Sequence, residues 1–245
     1  DYKIAKFTGP GTFCVSDAGN SSGSNTVDYL VVAGGGAGQT KNSRNPSSGG
    51  RYGSGGGGAG GLKASSGTAS GSYTAGPAPL VGCVSALPVS VQGYPITVGA
   101  GGNAPGVPDG CSTASGGSNS IFSTVTAHGG GGGGYGSPCT YATAGADGGS
   151  GGGGGAGPPS DAGGAGNSPP STPPQGNNGG FGISNQDTAA GGGGGASAVG
   201  GDGAATPSPR TSTAGVGGAG ITSCITASPV SYAGGGGGGA GYPGE

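Results

Sequence analysis

Four stretches of the chain alternate apolar and polar positions for a few residues and then run straight into glycine. In "TVDYLVVAGGGAG" (26–38), Val27, Tyr29 and Val31 stand on one face and Asp28, Leu30 and Val32 on the other. "YPITVGAGG" (94–102) follows the same plan with Ile96 and Val98. "SIFSTVTAHGGGGGG" (120–134) sets Ile121, Val125 and Ala127 against Phe122, Thr124 and Thr126, and "ASPVSYAGGGGGGAG" (227–241) repeats the phrase. Alternation with period two among β-branched and aromatic residues predicts short strands. Further glycine runs lie at 55–61, 151–157 and 191–195, with shorter ones at 163–166 and 217–220. No stretch has helical periodicity, and glycine at this density makes a helix costly.

The composition sharpens this reading. The chain has 72 glycines and 19 prolines in 245 residues, a level at which low complexity is the default expectation. Hydrophobic residues make up 30%, with no Met, no Trp and four Phe, so large side chains are too few to build an ordinary core. The net charge of −2 supplies no self-repulsion to keep the chain expanded. There is no apolar run of membrane-spanning length and no basic-then-apolar leader. The first residue is Asp1, not Met, which is read as a fragment or a processed form.

An isolated glycine run is slack, and fixing each residue costs about 1–2 kcal/mol. Its left-handed helix of three residues per turn has no internal hydrogen bonds, so every N–H and C=O points outward. Several such helices side by side can pair these groups at a net gain of about 0.5–1.5 kcal/mol per bond. At about 3.1 Å per residue, six glycines span about 19 Å, the width of a thin domain. The runs here are nearly pure glycine with Ala at their ends, unlike the steady Ser interruptions of a flexible linker. The expected fold is irregular and glycine-rich: a packed bundle of polyglycine-II helices with short β-strands, long connecting loops and no α-helix. A β-rich segment at 1–33, the bundle at 34–241 and a tail at 242–245 are the expected divisions.

The phrases "NTVDYLVVAGGGAG", "GGGGAGGLK", "VSALPVSVQGYPITVGAGG", "GGSNSIFSTVTAHGGGGGG" and "PPQGNNGG", in this order, resemble the glycine-rich domains of bacteriophage tail fibres and fibre-tip adhesins. The likeness covers roughly 10–241 and is closest to versions from marine and cyanobacterial phages. In the tip adhesins of T-even-like phages the runs form a sandwich of polyglycine-II helices, and the loops between them bind the receptor. The resemblance therefore implies a virion protein that recognises a host surface polysaccharide or an outer-membrane protein. It also implies other tail-fibre subunits as partners, a homo-oligomer, and neither nucleic acid binding nor membrane insertion. A structural spacer of a virion or extracellular filament is the alternative. An ice-binding glycine bundle ranks behind both, because the runs lack strict tripeptide periodicity.

If each long run reverses direction, the loops at 39–54, 103–128, 158–190 and 221–233 share one end, and those at 62–98, 135–150 and 196–216 the other. In the first loop Lys41, Arg44 and Arg51 stand beside Tyr52, with Lys63 just beyond the next run, and no acid occurs between Asp28 and Asp109. Guanidinium forks suit carboxylate or phosphate groups, and an aromatic face suits a sugar ring, so these residues are receptor-binding candidates. A merely solvated loop is the alternative. Tyr135 and Tyr141 form a second candidate pair, for which packing against the bundle edge is the competing role.

Catalytic chemistry finds no support in the sequence. His128 is the one histidine, no C-x-x-C occurs, and no nucleophile elbow is present, so neither a metal site nor a catalytic triad is expected. A phosphate loop needs Gly-Lys-Ser/Thr, whereas the nearest text is "GGLKASS". No cofactor and no enzymatic activity are expected. The five cysteines, Cys14, Cys83, Cys111, Cys139 and Cys224, are read first as buried thiols behaving as small apolar residues; disulfides formed after release, with the odd one free or paired between chains, are the alternative.

Overall fold

The strand-then-glycine phrases fold as the alternation predicts, and each strand stops where its chain becomes an extended rod. The computed structural model describes residues 3–19, 23–39, 52–67, 84–104, 113–137, 142–157, 161–183, 188–207 and 210–241. Among them are twelve short β-strands and no α-helix. In chain order these are β1 (Gly11–Cys14), β2 (Thr26–Val27), β3 (Leu30–Val32), β4 (Leu62–Ala64), β5 (Leu87–Pro88) and β6 (Gly93–Thr97). They continue as β7 (Ser120–Phe122), β8 (Val125–Ala127), β9 (Ala204–Pro207), β10 (Arg210–Thr213), β11 (Ile221–Ser223) and β12 (Val230–Tyr232). One open antiparallel sheet has the order β1-β6-β7-β8, and the rest are two-stranded pairs: β2–β5, β3–β4, β9–β10 and β11–β12.

Two details depart from the alternation. The stretch 26–32 reads as one strand but splits into β2 and β3, which belong to different sheets. Residues 120–127 read as a single strand but form a hairpin, because Ser123 adopts φ 53° and closes a tight turn between Phe122 and Val125. The turn brings Phe122 into the one aromatic core. Its ring meets Phe13, Tyr94 and Tyr29 edge-on at centroid distances of 5.9, 6.3 and 6.4 Å, a geometry favoured by the ring quadrupoles. Val31, Ala33, Val89 and Ala127 complete this cluster, and a second one gathers Leu62, Ala64, Ala196 and Ile221.

The glycine-rich segments between the strands are rods. Among the described residues they run over 33–39, 53–61, 99–103, 114–119, 128–137, 142–148, 149–157, 161–167, 175–183, 188–196, 197–203, 214–220 and 233–241. Their hydrogen bonds repeat every third residue, the period of the polyproline-II helix. Ala33, Gly36 and Gln39 donate to the carbonyls of Gly61, Gly58 and Gly55, while Gly34 and Ala37 donate to Ser118 and Ser115. In the interior rod 149–157 the amides of Gly151, Gly152 and Gly153 bond to Asn177, Ala146 and Gly56, and the next three amides return to the same neighbours at Gly180, Thr143 and Gly53. Its carbonyls at Ser150, Gly151 and Gly152 accept from Gly131, Gly194 and Gly164. Donors and acceptors thus alternate around six neighbouring rods.

Such close approach excludes side chains. A Cβ built on Gly153 would land on the carbonyl oxygen of Gly191, and one on Gly193 on that of Gly57. On outer rods only the inward positions carry this constraint, so Phe181, Val199 and Val216 point outward at 56%, 61% and 73% exposure. This is why reading long glycine runs alone undercounts the rods. Segments such as 99–103, 175–183 and 197–203 mix glycine with Asn, Phe, Val or Asp and still join the bundle. The additional reversals overturn the expected loop parity: 221–232 turns at the same end as 62–98, not with 39–54.

Substituting an interior glycine tests this packing directly. Gly153→Ala is expected to destabilise the chain by about 1–3 kcal/mol or more, the range for overpacking a tight interior. Gly101→Ala should be close to neutral, since its Cβ would meet nothing nearer than 3.7 Å. Urea unfolding of the two variants against the parent checks the contrast.

Candidate functional site

The hydrogen-bond registers fix the direction of every rod and so divide the bundle into two unlike ends. Rods 33–39 and 53–61 are antiparallel, since 33 pairs with 61 and 39 with 55. Rod 128–137 runs with the first, because Gly130 and Gly133 donate to Gly34 and Ala37. Extending this through the lattice puts residues 33, 61, 99, 119, 128, 148, 167, 175, 196, 220 and 233 at one end. There the chain turns through strands, hairpins and short connections, and both apolar clusters cap the rods. Residues 39, 53, 103, 114, 137, 142, 157, 161, 183, 188, 203, 214 and 241 stand at the other end, where the chain is joined by loops and the β9–β10 hairpin.

The rod ends that flank the receptor-binding candidates stand at this second end. The chain leaves the described bundle there after Gln39 and re-enters at Tyr52; it leaves again after Ser137 and re-enters at Ala142. Lys41, Arg44, Arg51 and Tyr141 lie outside the described residues. The rod ends on either side of them are direct neighbours: Ala156 N–H donates to Gly53 O and Ser137 N–H to Ala156 O, both at 3.0 Å. The two candidate segments, far apart in sequence, are therefore anchored side by side. Tyr52 is half-buried next to Gly53. Tyr135 is only 5% exposed, with its N–H on Thr143 Oγ1 at 2.7 Å and its C=O accepting from Thr143 N–H at 2.9 Å. Its ring is packed within the bundle.

Lys63 does not join them. Rod 53–61 carries the chain across the bundle, about 28 Å at 3.1 Å per residue, and delivers Lys63 to the capped end. There its Nζ donates to Ser171 Oγ and Pro173 O, both at 2.6 Å, and burial lowers its pKa. The basic cluster of the sequence is thus split in space. His128 also sits at the capped end. Its N–H donates to Gln175 Oε1 at 2.8 Å, and Gln175 Nε2 lies 3.1 Å from its Nδ1. Gln175 is fully buried and its Nε2 also donates to Pro169 O, so the amide ties the rod 128–137 to the loop 167–175. Nothing in its local sequence, "PPQGNNGG", distinguishes it from a loop residue.

Among the described residues no group of three or more His, Cys, Asp or Glu side chains could hold a metal, and no helix is long and apolar enough to cross a membrane. Cys14 is exposed and Cys224 half-buried, both as free thiols, which corrects the expectation of buried cysteines for these two. Cys83, Cys111 and Cys139 lie outside the described residues. At the loop-bearing end the sequence reading also missed Asp161. Its Oδ2 is buried without a hydrogen-bond partner, and desolvation raises its pKa. A family model described as a glycine-rich domain matches residues 8–245. No match was found among curated proteins or among solved structures.

Because the native state holds the Asp161 proton more tightly than the unfolded chain, stability should fall as pH rises from the ordinary carboxylate range through the raised native value. At neutral pH the penalty remains. Asp161→Asn should therefore raise the neutral-pH melting temperature and flatten the acid-side pH profile, as thermal unfolding between pH 3.5 and 7.5 would record.

Proposed function

The chain belongs to the glycine-rich domain family, and on that premise we propose that it is a receptor-binding domain of the phage tail-fibre type. The bundle serves as a stiff post and its loop-bearing end meets an acidic host surface glycan. The supporting observation is the polarity of the rods. One end is closed by apolar clusters and strands, and the segments containing Lys41, Arg44, Arg51, Tyr52 and Tyr141 are all anchored at the other.

The chemistry of those residues suits such a ligand. Guanidinium groups pair in fork geometry with carboxylates and phosphates, while tyrosine offers a flat apolar face with a polar tip for a sugar ring. Each contact is shallow, so affinity depends on many copies presented together on one particle. A post of paired backbone suits this task because it holds its loops at fixed spacing without needing a large side-chain core.

The test is binding of the purified chain, displayed multivalently on beads, to immobilised bacterial lipopolysaccharides and carboxylated capsular polysaccharides. Binding to at least one is expected, with a loss of tenfold or more in the triple variant Lys41→Ala, Arg44→Ala, Arg51→Ala. A folded chain that binds none of them, or whose binding ignores the triple substitution, would overturn this reading in favour of a structural spacer.

A further inference from the structure

Among the described residues rod 53–61 has five neighbours, where the interior rods 149–157 and 188–196 have six. The missing place is an open groove of about 360 Å³ between rods 33–39 and 233–241. Every third amide of rod 53–61 shows the gap. Gly55, Gly58 and Gly61 donate to rod 128–137, Gly56 and Ala59 donate to rod 188–196, but Gly57 and Gly60 donate to nothing among the described residues. Both are buried on the groove floor. Leaving a buried N–H without a partner is costly, so the floor is an unfilled hydrogen-bonding surface. Along the walls, the carbonyls of Gly36 on one side and of Gly234 and Gly237 on the other also accept no bond from the described residues. Donors beneath and acceptors beside continue the alternation that surrounds each interior rod.

We infer that this groove docks one glycine-rich segment of another polypeptide, in the same three-residue helix, as an added rod of the lattice. Two features point to that occupant. Gly57 and Gly60 are three residues apart, about 9 Å, which is the repeat of such a helix. The walls, moreover, are glycine where the chain's own packing does not require it. A Cβ on Gly35 would sit at an ordinary 3.6 Å from Gly58 O, one on Gly38 at 3.7 Å from Gly57 N, and one on Gly237 at 3.9 Å from its nearest neighbour. A methyl group at Gly35 or Gly38 would therefore be tolerated by this chain and would stand over the floor amides.

A comparable notch faces rod 128–137, and it shows what closure by side chains looks like. There Gly129 N–H is taken by Asn119 Oδ1 and Tyr135 N–H by Thr143 Oγ1, while Gly132 N–H between them donates to nothing among the described residues. Among the described residues no side chain donates or accepts at the floor of the groove over Gly57 and Gly60, and its lining besides glycine is Val32, Ala33, Ala59 and Ala233. The edge is open in the way an unpaired strand is open at the margin of a sheet.

The experiment uses a soluble hexaglycine peptide capped by two lysines at each end, titrated into the full chain while amide exchange is followed residue by residue. Slowing of at least tenfold at Gly57 and Gly60 is expected, with no change at interior amides such as Gly153. The variants Gly35→Ala and Gly38→Ala should keep that interior protection, which establishes that they fold, and should lose the peptide's effect. The same peptide with six alanines in place of glycine should not protect the floor. Protection of Gly57 and Gly60 that grows with protein concentration alone also supports the inference and identifies a second copy as the source of the rod. No protection at those two amides, or protection that persists in both alanine variants or with the alanine peptide, overturns it. The result is independent of glycan binding, which is read at the loop-bearing end.

Discussion

Backbone pairing between chains without side chains is the interaction on which the rest of this structure depends. An extended glycine helix has no bond of its own, so each of its amides must find a carbonyl on another rod or remain wet. That requirement sets the spacing and the direction of every neighbour. The constant pairing registers, such as 33 with 61, 36 with 58 and 39 with 55, express it residue by residue. Glycine is needed at the interior positions because the carbonyl of the next rod occupies the space of a Cβ, as Gly191 O does for Gly153.

A lattice of this kind has little cohesion from burial of large side chains, and its ends need closing. At one end the few large apolar residues are concentrated: Phe13, Tyr29, Tyr94 and Phe122 in one cluster, Leu62 and Ile221 in the other. Polar side chains complete that closure, with Gln175 holding His128 and Lys63 holding the loop at Ser171 and Pro173. The single histidine and a lysine from the basic stretch are thereby committed to structure. The opposite end keeps its loops, and the bundle becomes directional. A post with one closed and one loop-bearing end is suited to presenting a surface at a distance, and the open edge over Gly57 and Gly60 adds a second, lateral direction in which it can be extended.

The candidate site was legible in part. Lys41, Arg44, Arg51 and Tyr52 stand out because basic and aromatic residues are rare in this chain. That the rod ends next to these residues and next to the segment containing Tyr141 are neighbours could not be read, because it follows from the pairing of rods 53–61 and 128–137. Tyr135 looked equivalent to Tyr141 in sequence, yet it lies within the rod and is buried. Lys63 looked like a member of the basic cluster, yet a rod's length separates them. In both cases the number of residues between two side chains says less than which end of a rod each one reaches.

By itself, the sequence determined the class of structure. Alternation announced the strands at 30–32, 120–127 and 230–232, and glycine runs announced rods, because local steric and hydrogen-bonding rules act over a few residues. Only the tertiary structure decided which segments of mixed composition, such as 175–183 and 197–203, also become rods. A rod is defined by the neighbours that accept its bonds, and its outward face tolerates Phe181 or Val199 freely. The same cause decided the parity of the loops and the vacant place beside rod 53–61. Each depends on how many rods pack together, a property of the whole lattice that no single stretch of sequence contains.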